Sequence, residues 1–414
     1  IQSGLELYPS NSDIMLKQAQ LLVSRDKTKE ALNLLGQLEG IAPYNADVFM
    51  TKGALYSQMN NFEQAITEYH KALNDNIDSV EVFVNIAYEY ENMGKFKEAL
   101  KYFKNALKQE PDDQGLLYEI SFCYELTGNQ KEGIKFFDNY IDNNPYSKEA
   151  WYNLGMIYLS IDENKEAIEA FDYALAIDES FITVILSKAN AYAKIDEYKK
   201  AIEAYKESFE YEKPEASTHY SIGECYYELE EYIESAKYYK KCLKLDNKYS
   251  DAWVGMALIE IEKREYLPAL RYLQHAIEND PINPEIWALH GFAKKEQQLP
   301  EAAKKSYQNA IKFESDDPEV WLQLSNIYET INEKEEGIKI LEKAILKYPN
   351  NIDILYRFAA FHFLYGEEKK GTVFLEDALN LNFEKHIDFL NYNDELKINP
   401  TIIDLIKKIT PKQR

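Results

Sequence analysis

The sequence is short of cysteine, proline and glycine, and it has no long apolar run. Only three cysteines, 13 prolines and 15 glycines occur in 414 residues. Three cysteines are too few for a disulfide scaffold and suit a reducing compartment. No apolar run approaches the roughly 18 residues that a transmembrane helix needs. We therefore expect a folded cytoplasmic protein without a membrane span.

Positive charge is also scarce. Lys and Arg number 47 against 71 Asp and Glu, so the formal net charge is −24. A surface of this sign repels phosphate, because nucleic-acid binding depends on Lys and Arg that displace counterions. It repels an anionic membrane surface for the same reason. Neither a nucleic acid nor such a membrane is an expected partner.

Motifs for catalysis and for metal or cofactor binding are missing as well. The six histidines form no His-x3-His pair and the cysteines form no Cys-x2-Cys, so no zinc signature is present. A P-loop and a Gly-x-Gly-x-x-Gly motif are absent too. Acidic pairs such as Glu335-Glu336 are typical of solvated helix faces. We predict no catalytic residue, no metal, no cofactor and no enzyme activity in this chain.

What the sequence does contain is a strict internal repeat and many tyrosines, 33 in all. The clearest unit begins at Lys148 and contains, in order, Trp151, Leu154, Gly155, Tyr158, Ala167 and Phe171. The same register returns every 34 residues without an insertion. The eleven units, or repeats 1 to 11, begin at Ser12, Ala46, Val80, Gln114, Lys148, Ile182, Ala216, Ser250, Pro284, Pro318 and Ile352.

Each unit is predicted to form two short antiparallel helices, helix A and helix B. Apolar residues recur at steps of three and four on both sides of a polar break such as Asn60-Asn61. The eighth and twentieth positions are always small, so the two helices can approach closely. A larger side chain at Gly155 should cost about 1–3 kcal/mol. Proline at position 32 of five units is predicted to end helix B.

Two further residue types have a structural explanation in this pattern. Cys123, Cys225 and Cys242 fall at helix-packing positions, and we expect them to be buried structural thiols. Position 2 is acidic in eight of the eleven units. A carboxylate there lies in the first turn of helix A, where the helix dipole stabilises it by about 0.3–1 kcal/mol. Part of the negative charge therefore says nothing about a partner.

The order Trp-x2-Leu-Gly-x2-Tyr, then Ala-x3-Phe, then Pro resembles the tetratricopeptide repeat. The resemblance covers residues 12–385, the eleven units. It implies an all-α fold, a right-handed α-α superhelical solenoid of stacked antiparallel helix pairs, in which helix A lines an inner groove. It also implies that this groove binds a peptide or protein segment.

The residues on either side of the repeats are interpreted separately. Residues 1–11 continue the register and resemble the end of a partial upstream repeat, so we expect more protein upstream, and a signal peptide there stays open. Residues 386–414 are predicted to form a C-terminal capping helix and a tail, because repeat arrays need polar caps. The alternative for this helix, Thr401 to Ile409, is docking to another protein.

The resemblance also implies that positions 2, 5, 6, 9, 12 and 13 of each unit face the groove. Chaperone-binding members hold a C-terminal carboxylate with Lys at position 5 and Asn at position 9. No unit here has Lys at position 5, so that mode is not expected. The groove is aromatic and acidic instead. The predicted partner-binding residues are Asn85, Tyr88, Glu91, Tyr118, Glu119, Phe122, Glu125, Tyr152, Asn153, Asn190, Tyr220, Glu224 and Tyr227.

These residues favour a basic, partly apolar partner segment, because tyrosine offers a large contact area at low entropy cost. The alternative is that the tyrosines pack between adjacent helices A while the acids simply face solvent. The predicted function is a non-enzymatic protein-interaction scaffold. An alternative is the regulatory or targeting region of an enzyme whose catalytic domain lies upstream. Self-association through an uncapped repeat end is a third hypothesis. The 42 Lys against five Arg favour an AT-rich, bacterial origin.

Overall fold

The computed structural model describes residues 11–43, 45–73, 80–111 and 113–409. Within these ranges the chain forms 25 α-helices, one short 3-10 helix and no strand. The prediction of an all-α fold of tandem helix pairs is confirmed. Every predicted repeat start is also the first residue of a helix A. Residues 1–10 and Pro411 to Arg414, which carry the predicted partial repeat and the tail, lie outside the described residues.

The first compact unit, Ile1–Lys213, contains repeats 1 to 6. In each repeat an odd-numbered helix A is followed by an even-numbered helix B. The helices are α1 (Ser12–Ser24), α2 (Thr28–Ile41), α3 (Ala46–Gln58), α4 (Phe62–Leu73), α5 (Val80–Asn92), α6 (Phe96–Gln109), α7 (Gln114–Leu126), α8 (Gln130–Asn143), α9 (Lys148–Ser160), α10 (Asn164–Ile177), α11 (Ile182–Lys194) and α12 (Tyr198–Glu207). The 3-10 helix, Ser208–Glu210, follows α12.

The second compact unit, Pro214–Arg414, contains repeats 7 to 11 and three further helices. Its paired helices are α13 (Ala216–Glu228), α14 (Tyr232–Leu245), α15 (Ser250–Glu262), α16 (Tyr266–Asn279), α17 (Pro284–Glu296), α18 (Pro300–Lys312), α19 (Pro318–Thr330), α20 (Lys334–Lys347), α21 (Ile352–Tyr365) and α22 (Glu368–Leu381). The last three are α23 (His386–Tyr392), α24 (Asp394–Ile398) and α25 (Pro400–Ile409).

Helix boundaries follow from local sequence. Several helices A begin after a residue whose side chain accepts a backbone N–H of the first turn, a cap worth about 1 kcal/mol. These caps are Asn11, Asn45, Asp113, Ser147, Asn283, Asp317 and Asn351. Helix α2 ends at Ile41, two residues before Pro43, and α8 ends two residues before Pro145, as predicted. The acids at position 2 lie in the first turns.

The turn between helix A and helix B needs a residue in the left-handed region. Position 15 has φ between 56° and 70° in repeats 1 to 10. Only Gly94 and Gly128 supply glycine there, and the other eight turns use residues such as Asp196, Glu230 and Arg264. Left-handed backbone is costly for side-chain-bearing residues, although Asn and Asp tolerate it best. The low glycine content therefore leaves strain in these turns.

In repeats 2, 5, 7 and 9, a glycine at position 8 lies against the aromatic ring at position 24. A Cβ atom on Gly155 would lie 2.4 Å from Cε1 of Phe171, and one on Gly223 would lie 2.6 Å from Cδ1 of Tyr239. Both rings are fully buried. Within each compact unit, helix B then packs on the helix A of the next repeat. The prediction that small residues allow close helix approach is confirmed.

The cysteines are buried and free, as predicted. Burial raises the pKa of all three thiols, to about 12 for Cys225 and about 11 for Cys242. Inert thiols of this kind pack like small apolar side chains.

The segment after repeat 11 differs in detail from the single predicted helix. It forms α23, α24 and α25, and Ile402 and Leu405 of α25 are buried where it packs against α22. The hydroxyl of Thr401 donates to Glu368 at 2.6 Å. The three-helix path follows from two breaks, at Asn393 and at the residue before Pro400.

Candidate functional site

Exposed aromatic rings lie side by side on repeats 3 and 4. Tyr88 of α5 is 41% exposed, and Tyr118 and Phe122 of α7 are 56% and 37% exposed. Tyr118 and Phe122 are one helical turn apart and stack with centroids 6.4 Å apart. Phe96, at the start of α6, meets Phe122 edge to face at 6.2 Å. These four residues are called the aromatic patch.

Carboxylates lie beside the patch. The Tyr88 hydroxyl donates to Oε1 of Glu119 at 3.1 Å, and the Cys123 thiol donates to Oε1 of Glu91 at 3.4 Å. Burial raises the pKa of both carboxyls, and the charge of Glu119 raises that of Glu91 further. Burial and the Glu119 charge raise the pKa of Tyr88 to about 12. Glu125 is exposed.

Among the described residues, no basic side chain neutralises this group, since none of the ion pairs there includes Glu91, Glu119 or Glu125. The two half-buried carboxylates instead repel each other. An added cation beside them would relieve both the repulsion and the cost of burial.

Tyr152 and the three predicted asparagines are placed differently. Tyr152 is half-buried, with Phe171 and Phe181 at ring distances of 6.1 and 5.6 Å. Asn153 is buried at 3% exposure and donates to the Glu149 carbonyl at 2.8 Å. Asn190 is exposed but accepts from the Tyr205 hydroxyl, and Asn85 is half-buried. Asn153 therefore has a packing role.

The predicted residues of repeat 7 lie in the second compact unit and are engaged within it. Glu224 accepts from the Tyr239 hydroxyl, and burial raises the pKa of its carboxyl. Tyr220 packs on Tyr249 at 5.1 Å. Tyr227 donates to Glu262 at 3.5 Å. These three side chains are half-buried and make contacts within the second compact unit.

One neighbouring position accounts for the different exposure of the three predicted tyrosines that share a repeat position. Tyr118, Tyr152 and Tyr220 all occupy position 5 of their repeats. Position 34 of the same repeat is Ser147 in the first case, and Phe181 and Tyr249 in the other two. The aromatic residue at position 34 covers the tyrosine, whereas Ser147 leaves Tyr118 open. This signal was available in the sequence.

A cleft at the end of the second compact unit was not predicted. It measures about 390 Å³ and lies between α19, α21 and α23. The guanidinium of Arg357 stacks 3.8 Å from the Tyr392 ring centroid and donates to the amide oxygen of Asn326. Lys385 pairs with Asp353 at 2.6 Å. Tyr392 comes from α23, outside the 34-residue register, so no repeat position could point to it.

The described ranges contain neither a metal-binding cluster nor a membrane-spanning helix. No three His, Cys, Asp or Glu side chains gather there in a way that could hold a metal ion. No helix in those ranges combines the length and the apolar character that crossing a bilayer requires.

Comparison with known families agrees with the repeat pattern. Tetratricopeptide repeat models match residues 46–74, 80–113, 149–181, 182–214, 216–249 and 318–351. The chain belongs to the tetratricopeptide repeat family and carries many tandem repeats. Proteins of this family are generally non-catalytic scaffolds for protein interaction. No curated protein sequence matches the chain closely enough to count as a relative.

Several solved structures resemble the fold. Yeast Tom70 is 13% identical, with 98% of this chain and 100% of that one covered at a TM-score of 0.46. The C-terminal part of a repeat protein from Cytophaga hutchinsonii is 14% identical, with coverages of 62% and 99% and a TM-score of 0.49. YrrB, described as having an unusual peptide-binding site, is 20% identical, with coverages of 44% and 93% and a TM-score of 0.36. The family assignment rests on the repeat models.

Proposed function

We propose that this protein is a non-enzymatic protein-interaction scaffold that binds a basic, partly apolar segment of another protein at the aromatic patch. One observation carries the proposal: exposed rings lie beside half-buried carboxylates that no basic side chain neutralises within the described residues. The coarser part, a scaffold for protein interaction, follows from the repeat family. The chemistry of the partner is our inference from repeats 3 and 4.

The aromatic patch favours contact with another chain. Most of the large aromatic side chains of this protein are buried or half-buried, whereas Tyr88, Tyr118 and Phe122 are exposed together. Contiguous exposed apolar surface on a soluble protein marks interaction sites. Tyrosine and phenylalanine provide large contact areas, and their ring faces also attract cations.

The carboxylates favour a basic residue at the same place. A lysine or arginine of the partner can lay its aliphatic stem on the rings and direct its charged end to Glu91 and Glu119. A pair formed at half-buried carboxylates is screened less by salt than one at a fully exposed site. Apolar side chains next to the basic residue would cover Tyr118 and Phe122.

The experiment compares short labelled peptides by fluorescence polarisation. The full chain should bind an alternating Lys/Leu peptide, and replacement of Lys by Gln in the peptide should weaken binding. Glu91→Gln together with Glu119→Gln should weaken Lys/Leu binding about tenfold, which is ~1.4 kcal/mol. The control is the double variant Glu63→Gln with Glu169→Gln. It removes two exposed acids from helices B and changes the net charge by the same amount.

Equal weakening by both double variants would contradict the proposal, since binding would then depend only on net charge. Tight binding of the Gln/Leu peptide would contradict the electrostatic part. A third variant, Tyr118→Ala, removes an exposed ring without removing charge and should also weaken binding.

A further inference from the structure

A second surface of opposite charge lies between helices B of repeats 3 and 4. A cleft of about 630 Å³ separates α6 from α8. Lys101, Lys104 and Lys108 line it on one side, and Phe136 and Asn139 line it on the other. Of the described residues that line this cleft, none is Asp or Glu. In a chain of net charge −24, this is a local reversal of sign.

The three lysines have no carboxylate partner in the described parts of the chain. Lys101 and Lys108 are exposed. Lys104 donates to the Tyr124 hydroxyl at 2.5 Å and lies 4.8 Å from the Tyr124 and Phe136 ring centroids. Burial lowers the pKa of Lys104, and the charge of Glu132 opposes that shift. Lys104 thus lies beside two aromatic rings and forms no ion pair with a carboxylate among the described residues.

The cleft is also apolar at its base. Leu107 is buried, and Phe136 stacks with Tyr140 at 6.5 Å. A bare anion such as phosphate would fill only part of a cleft of this volume and would leave this apolar base uncovered. A chain segment that combines carboxylates with apolar side chains satisfies both features.

The spacing of the exposed lysines sets the spacing of the acids. Lys101 and Lys108 are seven residues apart on α6 and therefore share a face, about 10 Å apart along the helix. In an extended segment, side chains two or four residues apart share a face, at about 7 or 13 Å for ~3.3 Å per residue, which brackets that separation. Alternating carboxylates can therefore face the two lysines while the apolar side chains between them point to the other side, towards Phe136.

We propose that this cleft binds an acidic, partly apolar segment of a second protein. Carboxylates of the segment pair with Lys101 and Lys108, and an apolar side chain packs on Leu107 and Phe136. The proposal goes beyond the binding of a basic segment at the aromatic patch. Repeats 3 and 4 would then hold two partners of opposite charge at separate surfaces.

The test uses the full chain and a labelled peptide of alternating Glu and Leu, read by fluorescence polarisation. Lys101→Gln with Lys108→Gln should weaken Glu/Leu binding about tenfold. Both side chains are exposed, so far-UV circular dichroism should not change. Binding of the Lys/Leu peptide should stay within about twofold, which separates this proposal from the one for the aromatic patch.

The matched control lies in repeat 7, which carries lysines at the same three positions. Lys237 there already pairs with Glu234 at 3.1 Å, and Asp280 stands where repeat 4 has Asn144. Lys237→Gln with Lys244→Gln removes the same charge and should leave Glu/Leu binding within about twofold. A second variant, Asn139→Asp, keeps every lysine but adds a carboxylate to the cleft, and it should weaken binding.

Five results would overturn the proposal. The first two are that the wild-type chain binds the Gln/Leu peptide as tightly as the Glu/Leu peptide, and that it does not bind the Glu/Leu peptide at all. Both lysine double variants could weaken binding equally, which would reduce the effect to net charge. Inorganic phosphate could displace the peptide completely, which would indicate a simple anion site. Finally, sedimentation could show a dimer that only Lys101→Gln with Lys108→Gln disrupts, which would assign the cleft to a second copy of the chain.

Discussion

The Tyr88 hydroxyl of repeat 3 donates a hydrogen bond to the Glu119 carboxylate of repeat 4 over 3.1 Å. The bond joins two successive helices A and connects an exposed ring to a half-buried charge. Tyr88 also packs edge to face on Phe103 at 5.4 Å, so its ring is held in place before any partner arrives. A ring held in this way loses little conformational entropy when it is covered.

Removal of the Tyr88 hydroxyl should raise the pKa of Glu119. Burial already raises that pKa, and the hydrogen bond from Tyr88 opposes the rise by stabilising the carboxylate. Tyr88→Phe should therefore move the pKa of Glu119 further up, as followed by carbon-detected NMR titration of the side-chain carboxyl. Tyr118→Phe serves as the control and should leave the pKa of Glu119 unchanged. An unchanged or lower pKa in Tyr88→Phe would show that the bond does not form in solution.

Binding of a basic peptide should weaken on acidification. The pKa values of Glu91 and Glu119 are raised above 4.5 by burial, so both carboxyls protonate earlier than exposed glutamates as the pH falls. Affinity for the Lys/Leu peptide should be constant near neutral pH and should decline as the pH falls through the raised pKa values. The Glu91→Gln, Glu119→Gln variant should show a flatter profile. Equal pH dependence in both proteins would place the titrating groups elsewhere.

The same two carboxyls should affect folding stability in the opposite direction: acidification, which weakens peptide binding, should favour the folded state through these groups. A carboxyl whose folded-state pKa exceeds its unfolded value contributes stability at low pH, and this contribution is lost as the pH rises through the folded-state pKa. At neutral pH, Glu119→Gln should therefore leave the urea midpoint unchanged or raise it, while Glu119→Ala, which loses the Tyr88 bond, should lower it. A large drop for Glu119→Gln would show that the ionised group stabilises the fold.

Substitution of glycine should have opposite effects at two helical positions. Gly155→Ala places a Cβ 2.4 Å from Phe171 and should destabilise the protein by about 1–3 kcal/mol. Gly36, in the middle of α2, has no atom within 4 Å of an added Cβ. Gly36→Ala should stabilise it by about 0.5–1 kcal/mol, because alanine favours helix. Urea unfolding followed by circular dichroism measures both, and the same sign for both would refute the packing account.

The left-handed turn at Glu230 should tolerate glycine better than glutamate. Glu230 has φ of 59°, a region that favours glycine. Glu230→Gly should raise the stability by about 0.5–1 kcal/mol, after allowance for the larger entropy of the unfolded chain. Glu228→Gly, two residues earlier in helical conformation, should lower it. A loss of stability at Glu230 would mean that its side chain makes contacts that outweigh the backbone strain.

The 34-residue register predicted the helix pairs well, because a strict period reports which positions meet at helix interfaces. It located the first residue of each helix A and the close helix approach at Gly155. The register did not predict how much of each aromatic ring is exposed, because the exposure depends on which neighbouring side chain packs over the ring. Tyr118 and Tyr152 share position 5, and Phe181 packs on Tyr152 whereas Ser147 stands at the equivalent position beside Tyr118.

The sequence did not predict the cleft between α6 and α8 or the cleft between α19, α21 and α23, and the physical reasons differ from the one above. The net charge of the chain does not reveal the local positive charge of this cleft between α6 and α8, because acidic residues elsewhere outnumber Lys101 and Lys108. Tyr392 reaches Arg357 from a helix that follows the last repeat. Contacts of this kind depend on the path of the chain after the register ends.

The most direct measurement is photo-cross-linking of a Lys/Leu peptide that carries a benzophenone group, followed by mass spectrometry of the cross-linked fragments. Binding at the aromatic patch predicts cross-links concentrated in α5 and α7, residues 80–92 and 114–126, and their loss in Glu91→Gln with Glu119→Gln. Cross-links that fall mainly on other repeats, or that persist in the double variant, would contradict the proposed function.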